Sequence, residues 1–208
     1  MSRPLRSKLL YVCCLAALAG CMVAWVVYSP YDKWLTVLAA SLILLIPGRI
    51  QGAVFRDHYR GRKLMSVGEY EAAIDHFERF LLQIRKQPWK KHFIWMAWGI
   101  YSWDIEAMTL NNLGAALIDL GRFDAAKMRL DDALRVDPQY AVPHFNLAVL
   151  ASVQGDEAAA RQHISCAEAL GYARTPVDRV VHLGQSILAN LEGRGISLDR
   201  GQSGETRS

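Results

Sequence analysis

The side chains able to make and break bonds are few and dispersed. His58, His76, His92, His144, His163 and His182 are spread along the chain. None has the HExxH spacing that sets two imidazoles and a carboxylate on one helical face, and no pair has an obvious metal spacing with a carboxylate. Cys13, Cys14 and Cys21 lie in an apolar run and Cys166 stands alone, so neither a disulfide framework nor a metal cluster follows. Glycines fall between apolar helical runs, and "GRGISLDRG" near the C-terminus lacks the strand and helix that a nucleotide fingerprint needs. The expectation is a protein that is not an enzyme, with no cofactor and no metal. What remains are amides, Asn111, Asn112 and Asn146, whose side chains can bond a peptide backbone.

Those amides lie on helices. Over 107–140, Leu110, Leu113, Gly114 and Leu117 recur at helical spacing, and "LGRFD" then breaks the pattern. Ala126, Leu130, Ala133 and Leu134 resume it until Asp137-Pro138 stops the second helix. Small residues at Gly114 and Ala126 let the two helices approach, with Phe123 beyond the turn. Neither helix buries its apolar stripe alone, so the hairpin needs neighbours.

A shift of 34 residues supplies one: Gly121 maps to Gly155, Ala126 to Ala160, Ala133 to Ala167, Asn112 to Asn146 and Leu113 to Leu147. The period and its pattern of small and large residues resemble the tetratricopeptide repeat, a helix-turn-helix unit that stacks into a solenoid. The repeat at 107–140 matches well. In the copy at 141–172, Ala148 stands for the glycine, Glu157 for the aromatic after the turn and Tyr172 for the closing proline. A third copy at 54–85 is carried by Gly61, Leu64, Gly68, Tyr70, Ala73 and Phe77, with Arg60 in a leucine position and Phe80 in an alanine position.

The resemblance implies an all-α protein-binding scaffold whose first helices line a groove. Carried over by register, the peptide-binding residues are Tyr59, Arg62, Met108, Asn111, Asn112, Ala115, Phe145, Asn146 and Val149, with Phe55, His58, Met65, Asp119 and Val142 beside them. Some members of the family grip a terminal carboxylate with two Lys, two Asn and an Arg. Here His58, Arg62, Asn112, Val142 and Asn146 hold those positions, and only Asn112 matches outright. The alternative for both amides is that Asn-Leu is simply common in the repeat. His144 aligns with Leu110 and is expected as a packed or half-exposed helix residue.

The period breaks between the first and second copies. Gly68 and Gly121 are 53 residues apart, which leaves an insert over 86–106. It carries Trp89, Phe93, Trp95, Trp98, Tyr101 and Trp103 beside Lys90 and Lys91. Rings mixed with Lys suit a membrane interface, where an indole buries its body and keeps its N–H wet. Trp89, Lys90, Lys91, Trp95, Trp98 and Trp103 are the expected interface residues, with packing on a neighbouring repeat or on a partner as the alternatives.

Residues 1–50 read as a membrane anchor of two helices, 9–28 and 33–49. The first holds twenty residues without a charge, enough at ~1.5 Å each to cross a ~30 Å hydrocarbon core. The second has an apolar run of thirteen residues, 34–46, and needs Lys33 and Arg49 as snorkelling ends. Basic residues flank both ends, so the repeats are expected on the cytoplasmic side of a multi-pass inner-membrane protein. "LAGC", ending at Cys21, also resembles a bacterial lipoprotein signal, which would make Cys21 a lipidation site. The apolar residues after it favour a plain helix.

Residues 1–92 carry 14 Lys/Arg against 6 Asp/Glu, and 104–192 carry 7 against 12. The basic runs near 56–63 and 85–91 adjoin apolar segments, so lipid headgroups rather than nucleic acid are the expected partner, at roughly 1 kcal/mol per basic residue. A helix over 175–191, with Thr175 as N-cap, is expected to cover the last repeat, followed by a loose tail at 192–208. Together these features lead to a membrane-anchored adaptor or assembly factor that presents its groove to a protein or peptide. The alternative is a lipoprotein-like periplasmic module for envelope or pilus assembly, and a third reading is a subunit that docks a catalytic partner.

Overall fold

Four times the chain reverses on a glycine in the left-handed region: Gly68 at φ 80°, Gly121 at 73°, Gly155 at 79° and Gly171 at 93°. No described residue with a side chain takes a positive φ, because a Cβ there meets its own carbonyl. Each glycine N–H donates three residues back and the next N–H five back, as in Gly121 to Ile118 O (3.0 Å) and Arg122 to Leu117 O (2.9 Å). The identical pair recurs at Gly68/Glu69, Gly155/Asp156 and Gly171/Tyr172. These bonds satisfy carbonyls that a helix end would leave open. The sequence pattern and the turn geometry therefore share one cause.

The computed structural model describes residues 3–96 and 104–195, with the side chains at 3–8, 10, 11, 15, 43–47, 92, 93, 95 and 96 outside the description. All described elements are helical: α1 (Arg3–Tyr28), α2 (Lys33–Val54), α3 (Arg56–Ser66), α4 (Tyr70–Lys86), a 3-10 helix (Pro88–Met96), α5 (Ile105–Asp119), α6 (Phe123–Val136), α7 (Ala141–Val153), α8 (Glu157–Ala169) and α9 (Val177–Gly193). Helices α3/α4, α5/α6 and α7/α8 form hairpins. They stack in chain order through α4 on α5 and α6 on α7, in a solenoid-like array.

Close approach within the hairpins depends on small residues. A Cβ built on Gly61 would stand 2.5 Å from Phe77 Cε1, and one on Gly114 would stand 2.7 Å from Leu130 Cγ. The matching pair in α7/α8, Ala148 and Ile164, is likewise buried. Around these seams Phe55, Phe77, Phe80, Ile84, Leu110, Leu113 and Leu150 are almost fully enclosed, each contributing roughly 1.5–3 kcal/mol through burial.

Helices α1 and α2 meet along a narrow seam of Ser29, Thr36 and Ala40. Asp32 caps α2 by accepting the Trp34 N–H at 2.9 Å. Lys33 Nζ donates to Val26 O (3.1 Å) and Val27 O (2.7 Å), closing the C-terminal carbonyls of α1. Most other described side chains of the pair face outward, Val23 being 62% and Trp34 83% exposed.

The expected membrane-spanning hairpin is corrected: among the described residues no helix is long and apolar enough to cross a membrane. The multi-pass inner-membrane placement with cytoplasmic repeats falls with it. The thirteen-residue apolar run of α2, 34–46, rises only ~20 Å against a ~30 Å hydrocarbon core. Arg49 and Gln51 lie within the same helix, which runs on to Val54. Past α2 the chain bends at Phe55, which is fully buried against Phe80 with ring centroids 5.8 Å apart.

The helix after the last hairpin is α9, two residues later than expected. Its N-cap is Pro176, without a side-chain bond, because the Thr175 hydroxyl donates to Ala173 O at 2.9 Å instead. Residues 196–208, most of the expected tail, lie outside the described residues.

Candidate functional site

The face formed by α3, α5 and α7 holds the residues expected to line a groove. Tyr59 and Arg62 are exposed on α3; Asn112 and Ala115 on α5 and Phe145 and Asn146 on α7 are half-buried. Met108, Asn111 and Val149 are enclosed, at 7%, 3% and 4% exposure, and offer a ligand almost no surface. Of the neighbouring positions, Phe55 and His58 are also buried.

Two of the amides serve each other. Asn146 Nδ2 donates to Asn111 Oδ1 at 2.8 Å, tying α7 to α5 across adjacent hairpins. Asn112 has no bonded partner among the described residues and is the amide available to a ligand. Replacing Asn111 by leucine should cost about 1–2 kcal/mol in urea unfolding, since the enclosed end of the Asn146 amide loses its acceptor. Asn111→Leu combined with Asn146→Leu should cost less than the sum of the two single changes. Strict additivity would show that the bond contributes nothing.

Helix α9 closes one side of this face. It packs chiefly along α7, with Gly184 against Ser152 and Val153 and the Ser152 hydroxyl donating to Val180 O at 3.3 Å. Its end reaches farther back. Arg194 donates to Asp119 O at 3.4 Å, and its guanidinium lies 5.7 Å from the Tyr70 ring centroid. Burial raises the Asp119 carboxyl to about 6, against the opposing pull of Arg194. Burial and then Asp119 also push the Tyr70 phenol up. Where α7, the α8–α9 connection and α9 meet, a cavity of about 360 Å3 opens beside Phe145.

Four histidines have defined partners, and that of His76 is the Asp57 carboxylate, 2.8 Å from its Nδ1. His58 is 1% exposed and its Nδ1 lies 2.8 Å from Thr109 Oγ1. The Thr109 hydroxyl donates to Ile105 O at 2.7 Å, so its oxygen accepts and His58 is the Nδ1–H tautomer. Burial first, and Arg62 second, lower the His58 pKa to about 3. His144 and His163 face each other, with Nδ1 atoms 3.3 Å and ring centroids 5.6 Å apart. At that separation one imidazole can donate its Nδ1–H to the other. Burial holds both imidazoles below the ordinary histidine value. Among the described residues no three ligating side chains gather as a metal site.

The insert folds back onto the scaffold, its 3-10 helix touching α2, α4 and α5. Lys91 Nζ bonds Glu106 and lies 3.7 Å from Asp104. Burial pulls the Lys91 pKa down, but these carboxylates more than restore it and leave it raised. Lys91 is thus engaged by the start of α5, and Ile94 beside it is buried. Trp89 is 56% exposed with the Lys90 ammonium 5.9 Å from its ring centroid. The Trp95 side chain, Trp98 and Trp103 lie outside the described residues. Cys21 sits exposed within α1, whose helix continues through it to Tyr28.

Sequence reasoning did not find the Asn111–Asn146, His58–Thr109 or Arg194–Tyr70 contacts. A signal existed only for the first, since Asn111 stands beside the aligned pair Asn112 and Asn146. No protein-family model matches the chain, and no curated protein shows a significant match to it.

Proposed function

We propose that this chain is a protein-interaction scaffold of tetratricopeptide-like repeats that presents the α3–α5–α7 face to a peptide segment of a partner. The observation that carries the reading is the recurrence of one hairpin at fixed register. Gly61 against Phe77 and Gly114 against Leu130 are the same close approach displaced by 53 residues, and the left-handed turn glycines Gly68, Gly121 and Gly155 keep the same step and then one of 34. An array held together by neighbouring hairpins leaves one face of its first helices for binding, and side chains differ there while the seams repeat. Tyr59, Arg62, Asn112, Ala115, Phe145 and Asn146 form the accessible part. Met108, Asn111 and Val149 support it from beneath. No group on this face is arranged as a nucleophile and base, so the scaffold role is proposed without catalysis.

The test is a block in the middle of the face. Ala115→Arg puts a long cation on a half-buried position and should abolish partner capture by the full chain while leaving the thermal transition within a few degrees. A partner recovered equally well by the wild type and the folded variant would rule this face out.

A further inference from the structure

The cavity between α7 and α9 differs in character from the rest of the face. Its rim carries Arg174, Arg179 and His182, while Phe145, Tyr172 and Leu183 supply apolar wall. Phe145 and Tyr172 are stacked, with ring centroids 4.9 Å and planes 23° apart, and so form a firm floor. At about 360 Å3 the space suits a pair of neighbouring side chains or a small ligand.

Its charge is out of keeping with its surroundings. Residues 104–192 carry 12 Asp/Glu against 7 Lys/Arg, and other basic side chains of that stretch are engaged by acids: Arg122 with Glu71, Lys127 with Asp131, Arg129 and Arg135 with Asp132, and Arg161 with Glu157. Arg174 and Arg179 have no such partner among the described residues. The acids nearest in sequence do not neutralise them. Glu168 accepts the Thr175 N–H at 2.9 Å, and Asp178 is exposed and not part of the cavity wall.

We infer that this cavity is an anion subsite at the α7 end of the face, taking an acidic side chain of the bound peptide with an apolar residue beside it. The inference rests on the scaffold reading and adds the chemistry of the partner. Arg174 and Arg179 both line the cavity, and a guanidinium fork can bond a carboxylate with paired N–H groups, which an ammonium cannot. The stacked rings receive the neighbouring apolar side chain. Both arginines are exposed, so the attraction weakens as salt screens it.

The test is calorimetric titration of the full chain with an acetylated, amidated hexapeptide of alternating glutamate and phenylalanine, and with its glutamine counterpart. The glutamate peptide should bind about ten-fold more tightly, with the preference shrinking in high salt. Arg174→Gln combined with Arg179→Gln should erase the preference, and Arg174→Lys with Arg179→Lys should keep only part of it. Both pairs are exposed and should melt like the wild type. Equal affinity for the two peptides, no binding of either, or a preference that survives the double glutamine change overturns the inference. Ala115→Arg separates it from the wider reading. If the two peptides bind equally and Ala115→Arg blocks both, the face stands and the subsite falls. If the arginine-dependent preference persists untouched in Ala115→Arg, the subsite stands and the groove falls.

Discussion

Acidification from pH 6.5 to 4.5 should remove roughly 2 kcal/mol of unfolding free energy through His58 alone, the slope approaching about 1.4 kcal/mol per pH unit once the unfolded imidazole is fully protonated. The native pKa of His58 is lowered from 6.5 to about 3. Between those values the unfolded chain takes up a proton that the folded chain refuses, so stability rises with pH across this window. The contribution is complete above pH 6.5 and is lost as pH falls toward 3. The cause is local. His58 is enclosed by Tyr59, Phe77 and Phe80, its Nδ1–H is committed to Thr109, and Arg62 repels a second positive charge. Urea titrations at a series of pH values measure the slope. His58→Leu should flatten it, because Thr109 keeps its bond to Ile105. Identical slopes in the wild type and in His58→Leu would mean that acid sensitivity arises elsewhere, for example at His144 and His163, whose shifts have the same sign.

Alanine should have opposite effects at two kinds of helical glycine. In an unobstructed helix interior, Gly→Ala stabilises by roughly 0.5–1 kcal/mol. Gly48 and Gly52 in α2 have nothing within 4 Å of a Cβ, so Gly52→Ala should gain about that much. At Gly114 the same methyl would lie 2.7 Å from Leu130 Cγ, 2.8 Å from its Cδ2 and 3.3 Å from Ala126 O. Leu130 is fully enclosed and Ala126 O is backbone, so neither yields easily, and overpacking of this kind costs about 1–3 kcal/mol. Gly114→Ala should therefore lose about 1–2 kcal/mol net, and Gly114→Val more than about 3 kcal/mol. Gly61, whose Cβ would stand 2.5 Å from the Phe77 ring, should follow Gly114. Thermal unfolding of Gly52→Ala and Gly114→Ala side by side decides the matter. A gain at both positions would show that the seam relaxes and that close approach does not hold the hairpins together.

The hairpins were legible because their causes are local and periodic. Leu110, Leu113 and Leu117 mark one face, a glycine marks each left-handed turn, and a small residue marks each seam, all within a few turns of helix. The same locality misled the reading of the first fifty residues. Apolar composition counts side chains without saying how an element ends. The second run belongs to a helix that continues through Arg49 and Gln51 to Val54 and into the buried Phe55. The insert shows a related limit. Trp89 stays toward solvent, whereas Lys91, two residues on, turns inward to Glu106, and only the fold of the intervening chain brings that carboxylate near.

By itself the sequence determined the all-helical class, the repeat step and the positions that must be small, since each follows from spacing and Cβ sterics along one or two helices. Tertiary structure alone decided which face residues stay accessible. Asn111 is spent on Asn146 across 35 residues, His58 on Thr109 across 51, and Arg194 returns to Asp119 across 75. Contacts of that range depend on how hairpins stack and where α9 lies. A side chain carries no record of either in its own neighbourhood of sequence, because burial and hydrogen bonding are settled by whatever packs against it.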